Sequence, residues 1–532
     1  MEYDVIVVGG GLSGLTSAAF LSKEGYKVLL CEKEKKVGGL VSTFDYKGFK
    51  LDSGIRAFEN SGVLLPMLED LGIEIEFLKN TVSVGIGDEI VKVKNKESLN
   101  EYKDMLIKIY PENKNDIEKI ICEIEKIMGY MDILYGIDNP IFKDIPNDKE
   151  YVVKTLFPWM IKYLRTNPKI AKLNKPVDDY LRKFTDNNEL IDIVVQHFFK
   201  KTPTFFALSY FSLYLDYRYP KGGTGTLTQE LEVFINNNNG DINKSTEIVE
   251  INVDDRVIRD KNNNQYSYKK LIWAGNSKSM YNTINLNKIN NKKIKNNIDK
   301  VKDSFKDKKG GDSVLTVYAT VDIDINYFEL VCTEHLFYTI KKEGINKLDV
   351  EKRFRDCIKN NISKEDMIIL IKDYYDLTTY EISIPAMRDS ELAPNHKSGL
   401  IISTLMDYTV VKYIKEQGWY EEFKDITAKY IISILDKSIF KGINKKVIDS
   451  FVATPLTIES KTFSHEGAIT GWAFTNMEMP TENKMIRIMK SVNTVVPNIY
   501  QAGQWAFSPS GLPISMITGK IAADKCKKTI KK

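Results

Sequence analysis

Residues 4–25 read DVIVVGGGLSGLTSAAFLSKEG and decide the fold. The four residues VIVV form a continuous apolar run, which is typical of a strand buried on both faces of a parallel sheet. Gly9, Gly11 and Gly14 follow in the pattern GxGxxG. Small and apolar residues then continue as a predicted helix that ends near Gly25. The stretch therefore predicts a strand, a glycine turn and a helix in direct succession.

The next stretch, YKVLLCE at residues 26–32, predicts a second strand that ends at Glu32, eighteen positions after Gly14. In a dinucleotide-binding unit the first glycine permits the tight turn, the second lets the backbone approach a pyrophosphate, and the third allows close packing of helix on strand. The helix N-terminus offers free N–H groups to the phosphates, and an acid at this distance accepts hydrogen bonds from a ribose diol. We therefore predict a bound dinucleotide, and Glu32 disfavours the 2′-phosphate of NADP.

Length and composition are those of a globular protein with two intertwined domains. The chain has 532 residues, of which 43% are hydrophobic and 28% charged, and its net charge of +4 is too small to indicate nucleic-acid binding. Its five cysteines include no CxxC pair, which fits a reducing cytosol, and its four histidines share no metal-ligand spacing, so we predict no metal site. The most apolar segment, residues 5–21, follows acidic residues and is interrupted by three consecutive glycines, so neither a signal peptide nor a transmembrane helix is expected.

The residues after Glu32 favour FAD over NAD. The segment EKKVGGLVSTFDYKGFKLDSG spans residues 34–54 and contains a Gly-Gly pair, a predicted hairpin and Asp-x-Gly. This order resembles the FAD-binding signature of the amine oxidase and phytoene desaturase superfamily. In that family the Gly-Gly pair, here Gly38 and Gly39, lets the backbone pass close to the cofactor. An arginine usually follows the pair, whereas this chain has Leu40.

The resemblance recurs in order along the chain. Residues 219–231, YPKGGTGTLTQEL, are similar to the family's Tyr-Pro-x-Gly-Gly turn, and residues 389–394, DSELAP, resemble a further family segment with Ser390 in place of proline. The last block, NIYQAGQWAFSPSGLPISMITGKIAA at residues 498–523, resembles the family's C-terminal flavin motif. The resemblance implies that the two chain ends lie side by side and hold one flavin, with the N-terminus of the last helix at the pyrimidine edge of the ring.

The resemblance also implies which residues contact FAD. Glu32 is expected at the ribose, the backbone of Val249 at the adenine, and Leu512 and Pro513 at the flavin. The predicted cofactor residues are Gly9, Gly11, Leu12, Ser13, Gly14, Glu32, Lys33, Gly38, Gly39, Leu40, Ser53, Gly54, Val249, Ala274, Gly503, Gln504, Gly511, Leu512 and Pro513.

The predicted fold class is α/β, with a Rossmann-type FAD-binding domain interleaved with an α+β substrate domain that caps it. The FAD-binding domain is expected to combine residues 1–85, 216–305 and 451–532. The substrate domain is expected to combine residues 86–215 and 306–450.

Two stretches of the substrate domain have predictable secondary structure. Residues 98–135 carry isoleucines at helical spacing, which predicts helices with a core-facing stripe. Residues 313–323, SVLTVYATVDI, predict a strand in a sheet under the flavin.

Residues 151–175, YVVKTLFPWMIKYLRTNPKIAKLNK, contain six Lys or Arg and no acid, with aromatic and aliphatic residues between them. This pattern suits contact with a membrane surface, and an ordinary cap helix with a solvated basic face is the alternative. Residues 190–220 form a second apolar and aromatic run that contains His197. Its aromatics would line a tunnel for a long apolar substrate or form the core of the cap.

A flavin removes or delivers a hydride, and the protein supplies orientation, exclusion of water and a proton partner. The candidate acid/base groups are Arg56, which follows Asp-x-Gly, His465, which precedes a glycine turn at residues 467–471, and His197. No second GxGxxG has a strand before it and a helix after it, so no resident NAD(P)H domain is expected. The external electron partner, NAD(P)H or a quinone, stays open.

The leading interpretation is an FAD-dependent oxidoreductase that acts on a C–C or C=C bond of a lipophilic, isoprenoid or polyene-like substrate. The resemblance to phytoene desaturases, carotenoid isomerases and retinol saturases implies it. The alternatives are a redox-neutral isomerase that uses reduced flavin, an amine oxidase with Trp505 and Phe507 as its aromatic cage, and a flavin-binding protein without turnover. We expect a cytoplasmic protein without a nucleic-acid partner, and peripheral contact with the inner face of the membrane is a further expectation.

Overall fold

Among the described residues, the strands form two seven-stranded sheets and two small ones. The computed structural model describes residues 2–195 and 198–530. In chain order the strands are β1 Glu2–Val8, β2 Val28–Cys31, β3 Thr43–Tyr46, β4 Phe49–Asp52, β5 Phe58–Glu59, β6 Phe77–Lys79, β7 Val82–Ile86, β8 Glu89–Val93, β9 Tyr217–Pro220, β10 Gly240–Asn243, β11 Ile248–Asn252, β12 Val257–Asp260, β13 Gln265–Trp273, β14 Ser313–Val321, β15 His335–Thr339, β16 Thr379–Ser383, β17 Ser398–Met406, β18 Val447–Ala453 and β19 Ile499–Gln501.

Helices of eight or more residues occur along the whole described chain. They are α1 Leu12–Lys23, α2 Leu64–Leu71, α3 Ser98–Ile109, α4 Lys114–Leu134, α5 Phe157–Ala171, α6 Asn188–Val195, α7 Thr226–Asn237, α8 Lys292–Ser304, α9 Val350–Asn360, α10 Lys364–Leu377, α11 Tyr408–Glu416, α12 Tyr420–Lys437, α13 Pro455–Thr462 and α14 Leu512–Ile530. Shorter α-helical segments span Lys149–Tyr151, Val177–Leu181, Thr204–Leu208, Tyr210–Asp216, Ser277–Thr283, Ile325–Glu329 and Ile488–Ser491. Within residues 2–195 and 198–530, no helix combines the length and the apolar character needed to cross a bilayer.

The first sheet runs in the order β10-β2-β1-β13-β12-β11, and β19 also pairs with β13. Strand β1 lies parallel to β2 on one side and to β13 on the other. Val5 and Val7 pack into one apolar core, whereas Ile6 and Val8 pack into another on the opposite face. Both faces of β1 are therefore covered, which explains its continuous apolar run. The α/β fold class with a Rossmann-type unit is confirmed.

The two ends of the chain meet where helix α14 packs along α1. The Ser17 hydroxyl donates a hydrogen bond of 2.9 Å to the Gly519 carbonyl oxygen. A Cβ atom added at Gly519 would lie 2.6 Å from the carbonyl oxygen of Ser13, which is closer than two such atoms can approach. The two backbones can approach this closely because glycine, at position 519, has no side chain.

The second sheet runs in the order β18-β14-β17-β16-β15-β7-β8. Helices α9 to α12 pack with its central strands in one apolar core, and α3, α4 and α6 pack with β7 and β8 in another. The predicted strand at residues 313–323 is confirmed as β14, and the predicted helical stretch 98–135 is confirmed as α3 and α4. The predicted division of the chain into two domains stays a prediction.

Gly519→Ala should destabilise the protein by about 1–3 kcal/mol, because the added methyl group meets the Ser13 carbonyl oxygen between two packed helices. The matched control is Gly129→Ala in α4, where no atom lies within 4 Å of an added Cβ. The control should gain about 0.5–1 kcal/mol from helix propensity. Urea unfolding of both variants measures the difference, and equal shifts would show that the contact between α1 and α14 is not tight.

Candidate active site

The glycine turn has the geometry of a phosphate-binding turn. Gly9 has φ 106°, and its N–H donates to the Cys31 carbonyl oxygen at 2.9 Å. A Cβ atom at Gly14 would lie 1.9 Å from the Gly9 carbonyl oxygen, so only glycine fits there. A Cβ atom at Gly11 would meet no atom within 4 Å, and no side chain caps the N-terminus of α1. Open space therefore faces uncapped amide groups, as a bound phosphate requires.

Glu32 closes the far side of this turn. Its carboxylate accepts hydrogen bonds of 2.7 Å from the backbone N–H groups of Gly10 and Glu34. Burial raises the pKa of Glu32, and the two N–H donors oppose that rise. Lys33, its neighbour, faces α13 instead: its ammonium group donates to the Ser460 carbonyl oxygen at 2.8 Å. The contact of Lys33 with a cofactor stays a prediction.

The Gly-Gly loop lies directly over the glycine turn. The Gly38 N–H donates to the Gly10 carbonyl oxygen at 2.7 Å, and both Gly38 and Gly39 have positive φ. A Cβ atom at Gly54 would lie 2.1 Å from the Leu40 carbonyl oxygen. The Asp-x-Gly segment therefore interlocks with the Gly-Gly loop through backbone contacts, and glycine is required on both sides.

The C-terminal block reaches the same turn from the other end of the chain. Ala274 follows β13 and donates its N–H to the Val8 carbonyl oxygen at 2.8 Å. Gly503 has φ 94°, and its N–H donates to the Thr518 hydroxyl at 2.9 Å. A Cβ atom at Gly503 would lie 2.6 Å from the Ser13 hydroxyl oxygen. The structure therefore brings predicted residues from three distant parts of the chain together.

The remaining predicted cofactor residues lie around this centre. Val249 is in β11 and 38% exposed, and the Thr246 N–H just before that strand donates to the Glu32 carbonyl oxygen at 2.7 Å. Gln504 donates from its side-chain amide to the Ser464 hydroxyl at 3.4 Å. Gly511 directly precedes α14, so Leu512 and Pro513 form the first turn of that helix.

A buried polar network that the sequence did not single out lies under the Asp-x-Gly segment. The Asp52 carboxylate is inaccessible to solvent and accepts hydrogen bonds from Tyr219 at 2.6 Å and from the Thr224 N–H at 2.9 Å. Thr43 donates to the same carboxylate at 2.7 Å. Asp52 thus ties the hairpin β3–β4 to the turn after β9. The quoted Asp-x-Gly and Tyr-Pro-x-Gly-Gly motifs already contained both ends of this contact.

Arg56 lies within this network and is 3% exposed. Its guanidinium donates to the Asp52 and Gly54 carbonyl oxygens and, at 3.1 Å, to the Ser403 hydroxyl of β17. Its Nε has no hydrogen-bond partner among the described residues. Arg56 therefore positions the Asp-x-Gly segment and keeps one buried donor available.

Of the two candidate histidines, His465 lies within the described residues. The His465 imidazole Nε2 lies 2.8 Å from the Lys278 ammonium, and burial lowers the pKa of His465. A neutral imidazole that accepts from Lys278 fits this geometry. Among the described residues no hydrogen bond joins His465 to Arg56. His197 lies outside the described residues. Acid/base roles for these three residues stay predictions.

The comparisons with known proteins agree with this geometry. Residues 7–71 match the family described as an NAD(P)-binding Rossmann-like domain. The chain is 24% identical over 545 residues to the chloroplastic prolycopene isomerase of Daucus carota, covering 98% of this chain and 80% of the relative. Over nearly its whole length the chain is similar to proteins named as carotenoid isomerases and desaturases.

Two further matches cover nearly the whole chain, one by sequence and one by fold. The 1-hydroxycarotenoid 3,4-desaturase of Flavobacterium sp. (strain P99-3) is 20% identical over 550 residues, which is 98% of each chain. Among solved structures, a mutant of putrescine oxidase superposes with a TM-score of 0.60 at 12% identity over 99% of each chain, and this likeness concerns the fold alone. The predictions of an FAD-dependent oxidoreductase and of FAD as cofactor are confirmed at the level of the superfamily.

Asp52→Asn should destabilise the protein by about 2–4 kcal/mol, because an amide cannot accept at both oxygens from Tyr219, Thr224 and Thr43. The matched control is Asp45→Asn in the same hairpin, an exposed position that should change stability by about 0.5 kcal/mol or less. Chemical unfolding followed by tryptophan fluorescence checks both. Equal stability of the two variants would contradict the role assigned to Asp52.

Proposed function

We propose that this FAD-dependent oxidoreductase acts on a C–C or C=C bond of a lipophilic, isoprenoid or polyene-like substrate. The observation that carries the proposal is the cradle in which the turn at Gly9 meets the loop at Gly38 and the backbone of Gly503. The full-length relatives that are named for a carotenoid desaturase and a prolycopene isomerase support the substrate class.

The residues around the cradle fit FAD in this proposal. The pyrophosphate would lie against Gly11 and the first amides of α1, and Glu32 would accept hydrogen bonds from the ribose diol. The first turn of α14, at Leu512, would face the pyrimidine edge of the flavin, where the helix dipole stabilises negative charge. Bound FAD supplies hydride transfer, and the chain holds the ring, orients the substrate and excludes water.

An aromatic wall supports a long apolar substrate. Tyr210 and Tyr217 form this wall: both are partly accessible, and the core residue Tyr214, which is 4% exposed, packs between them with ring centroids 5.9 Å from each. Burial raises the pKa of all three tyrosines, so their hydroxyls stay neutral at physiological pH. A neutral aromatic wall binds apolar chains without a charged anchor.

A redox-neutral double-bond isomerase is the second candidate, and the full-length similarity to a prolycopene isomerase favours it. The amine oxidase alternative would need Trp505 and Phe507 to form an aromatic cage around the substrate amine. Trp505 and Phe507 are 4% and 2% exposed, and Trp505 packs edge-on against Trp472 with ring centroids 5.0 Å apart. Both side chains are core residues, so neither offers an open face to an amine.

We also propose that residues 151–175 contact a membrane surface. Helical structure runs without a break from residue 149 to residue 171, and one side of it leaves large apolar side chains in solvent. Val153, Phe157 and Leu164 are 68%, 57% and 57% exposed, and Met160 and Ile161 lie between them. Exposed apolar residues at helical spacing among six basic residues are typical of an interfacial helix.

Glu32→Gln should weaken FAD binding about tenfold or more. The substitution replaces one carboxylate oxygen with an NH2 group, which cannot accept the hydrogen bond from the Gly10 or Glu34 N–H. The matched control is Glu34→Gln, whose carboxylate lies at the surface, 3.6 Å from Lys33. Titration of apoprotein with FAD, followed by flavin fluorescence, gives both dissociation constants. Similar constants for the two variants would remove Glu32 from the cofactor site.

The reaction itself is tested anaerobically with FAD-loaded protein and a linear polyene in detergent micelles. Product with one double bond more or fewer supports the oxidoreductase, and an unchanged number of double bonds with altered geometry supports the isomerase. Parallel samples with NADH, NADPH or a quinone identify the electron partner. Unchanged polyene under every condition, with the flavin fully bound, would overturn the proposed substrate class.

Phe157→Ser combined with Leu164→Ser should reduce flotation with liposomes that contain anionic lipid severalfold, because the variant removes two of the most exposed apolar side chains of the helix. Val233→Ser combined with Ile369→Ser is the matched control, since both residues are more than half exposed on other helices. Equal flotation of the two double variants would contradict contact through residues 151–175.

A further inference from the structure

Glu59 is a carboxyl group for which the described structure supplies no charge partner. It ends strand β5, and Tyr217 lies directly opposite it in β9, so the two side chains share one face of the small sheet. Among the described residues no other side chain donates to its carboxylate, and its own backbone N–H is its one donor. A buried carboxyl without a partner is costly unless it serves a function.

Three tyrosines lie near the side chain of Glu59. Glu59, Tyr135, Tyr210 and Tyr217 are each partly accessible to solvent. The charge of Glu59 adds to the rise that burial causes in the pKa of all three tyrosines, so their hydroxyls lie within electrostatic reach of its carboxylate.

The Glu59 carboxylate also lies close to the start of helix α14. The Glu59 carboxylate oxygen Oε1 lies 3.7 Å from where a Cβ atom on Gly511 would be. Gly511 directly precedes Leu512, the residue that the proposed function places against the flavin. Glu59 therefore lies between the aromatic wall on one side and the proposed flavin position on the other.

We propose that Glu59 exchanges the proton with the substrate in the flavin-dependent reaction. The inference rests on the proposed function and adds the acid/base group that its chemistry requires. In desaturation, the Glu59 carboxylate would take a proton from one substrate carbon, and the electron pair of that C–H bond would become the C=C π bond. Bound FAD would supply the acceptor for the hydride that leaves the adjacent carbon. In saturation the same carboxyl group, protonated, returns that proton.

The surroundings of Glu59 adjust its acidity to this role. Burial raises the pKa of Glu59 to about 7, and the neighbouring Asp216 carboxylate adds to the rise. Asp216 accepts a hydrogen bond of 2.9 Å from the Ser61 N–H. The further titratable groups that feel the Glu59 charge are Tyr135, Tyr210 and Tyr217, and no cationic group is among the causes of the shift in its own pKa. A general base or acid with a pKa near 7 is effective at physiological pH.

The test compares Glu59→Gln with Glu76→Gln, an exposed carboxylate that pairs with Lys221 at 3.0 Å. Wild type and Glu76→Gln should show a kcat that changes about tenfold per pH unit on one side of pH 7: it rises with pH in desaturation and falls in saturation. Glu59→Gln should lose at least 100-fold in kcat with KM little changed, and Glu59→Asp should recover part of the loss. Wild-type activity and pH profile in Glu59→Gln would overturn the proposal.

Two readouts do not depend on turnover. A raised folded-state pKa means that the stability of wild type relative to Glu59→Gln is highest below pH 4.5 and falls as the pH rises to about 7. Wild type with bound FAD should also show a shift of the flavin absorption band near pH 7 that Glu59→Gln lacks. If wild type leaves every polyene unchanged but shows this shift, the proposed substrate class fails while Glu59 remains beside the flavin. Absence of the shift in wild type would place Glu59 away from the ring and overturn the inference.

Discussion

The contact between helices α1 and α14 is the constraint on which the site depends. Gly519 and Ser13 bring the two helix backbones close enough for the Ser17 hydroxyl to bond the Gly519 carbonyl oxygen. This contact brings the backbone of Gly503 against Ser13, at the end of the turn that begins at Gly9. Residues separated by about 500 positions in the chain thereby share one cradle, and the second sheet closes it through Arg56 and Ser403.

The contacts around the cradle are mostly backbone to backbone. Gly38 donates to the Gly10 carbonyl oxygen, and Gly54 lies against Leu40 without room for a side chain. Such contacts are insensitive to most side-chain substitutions, which fits the full-length similarity at 20–24% identity to the relatives compared. The arginine usual after the Gly-Gly pair is absent, and the loop still reaches the turn because its approach depends on the glycines.

The glycine pattern could be predicted from sequence because positive φ and absent side chains leave a direct signature at Gly9, Gly38 and Gly503. The parallel strands around β1 could be predicted because burial on both faces requires a continuous apolar run. Glu59 could not be predicted, since a single acid in a two-residue strand has no periodicity. Its burial arises from the pairing of β5 with β9, residues about 160 positions apart. Tertiary contacts of this kind leave no local pattern.

The proposed site requires both ends of the chain to hold one FAD molecule. Hydrogen–deuterium exchange of the apoprotein, measured with and without added FAD, distinguishes a site shared by both ends from a site at one end. FAD should slow exchange together in residues 9–15, 38–41 and 503–513, with one FAD bound per chain. Slowing at the N-terminal segment alone, or none at either end, would contradict a cradle built from both ends.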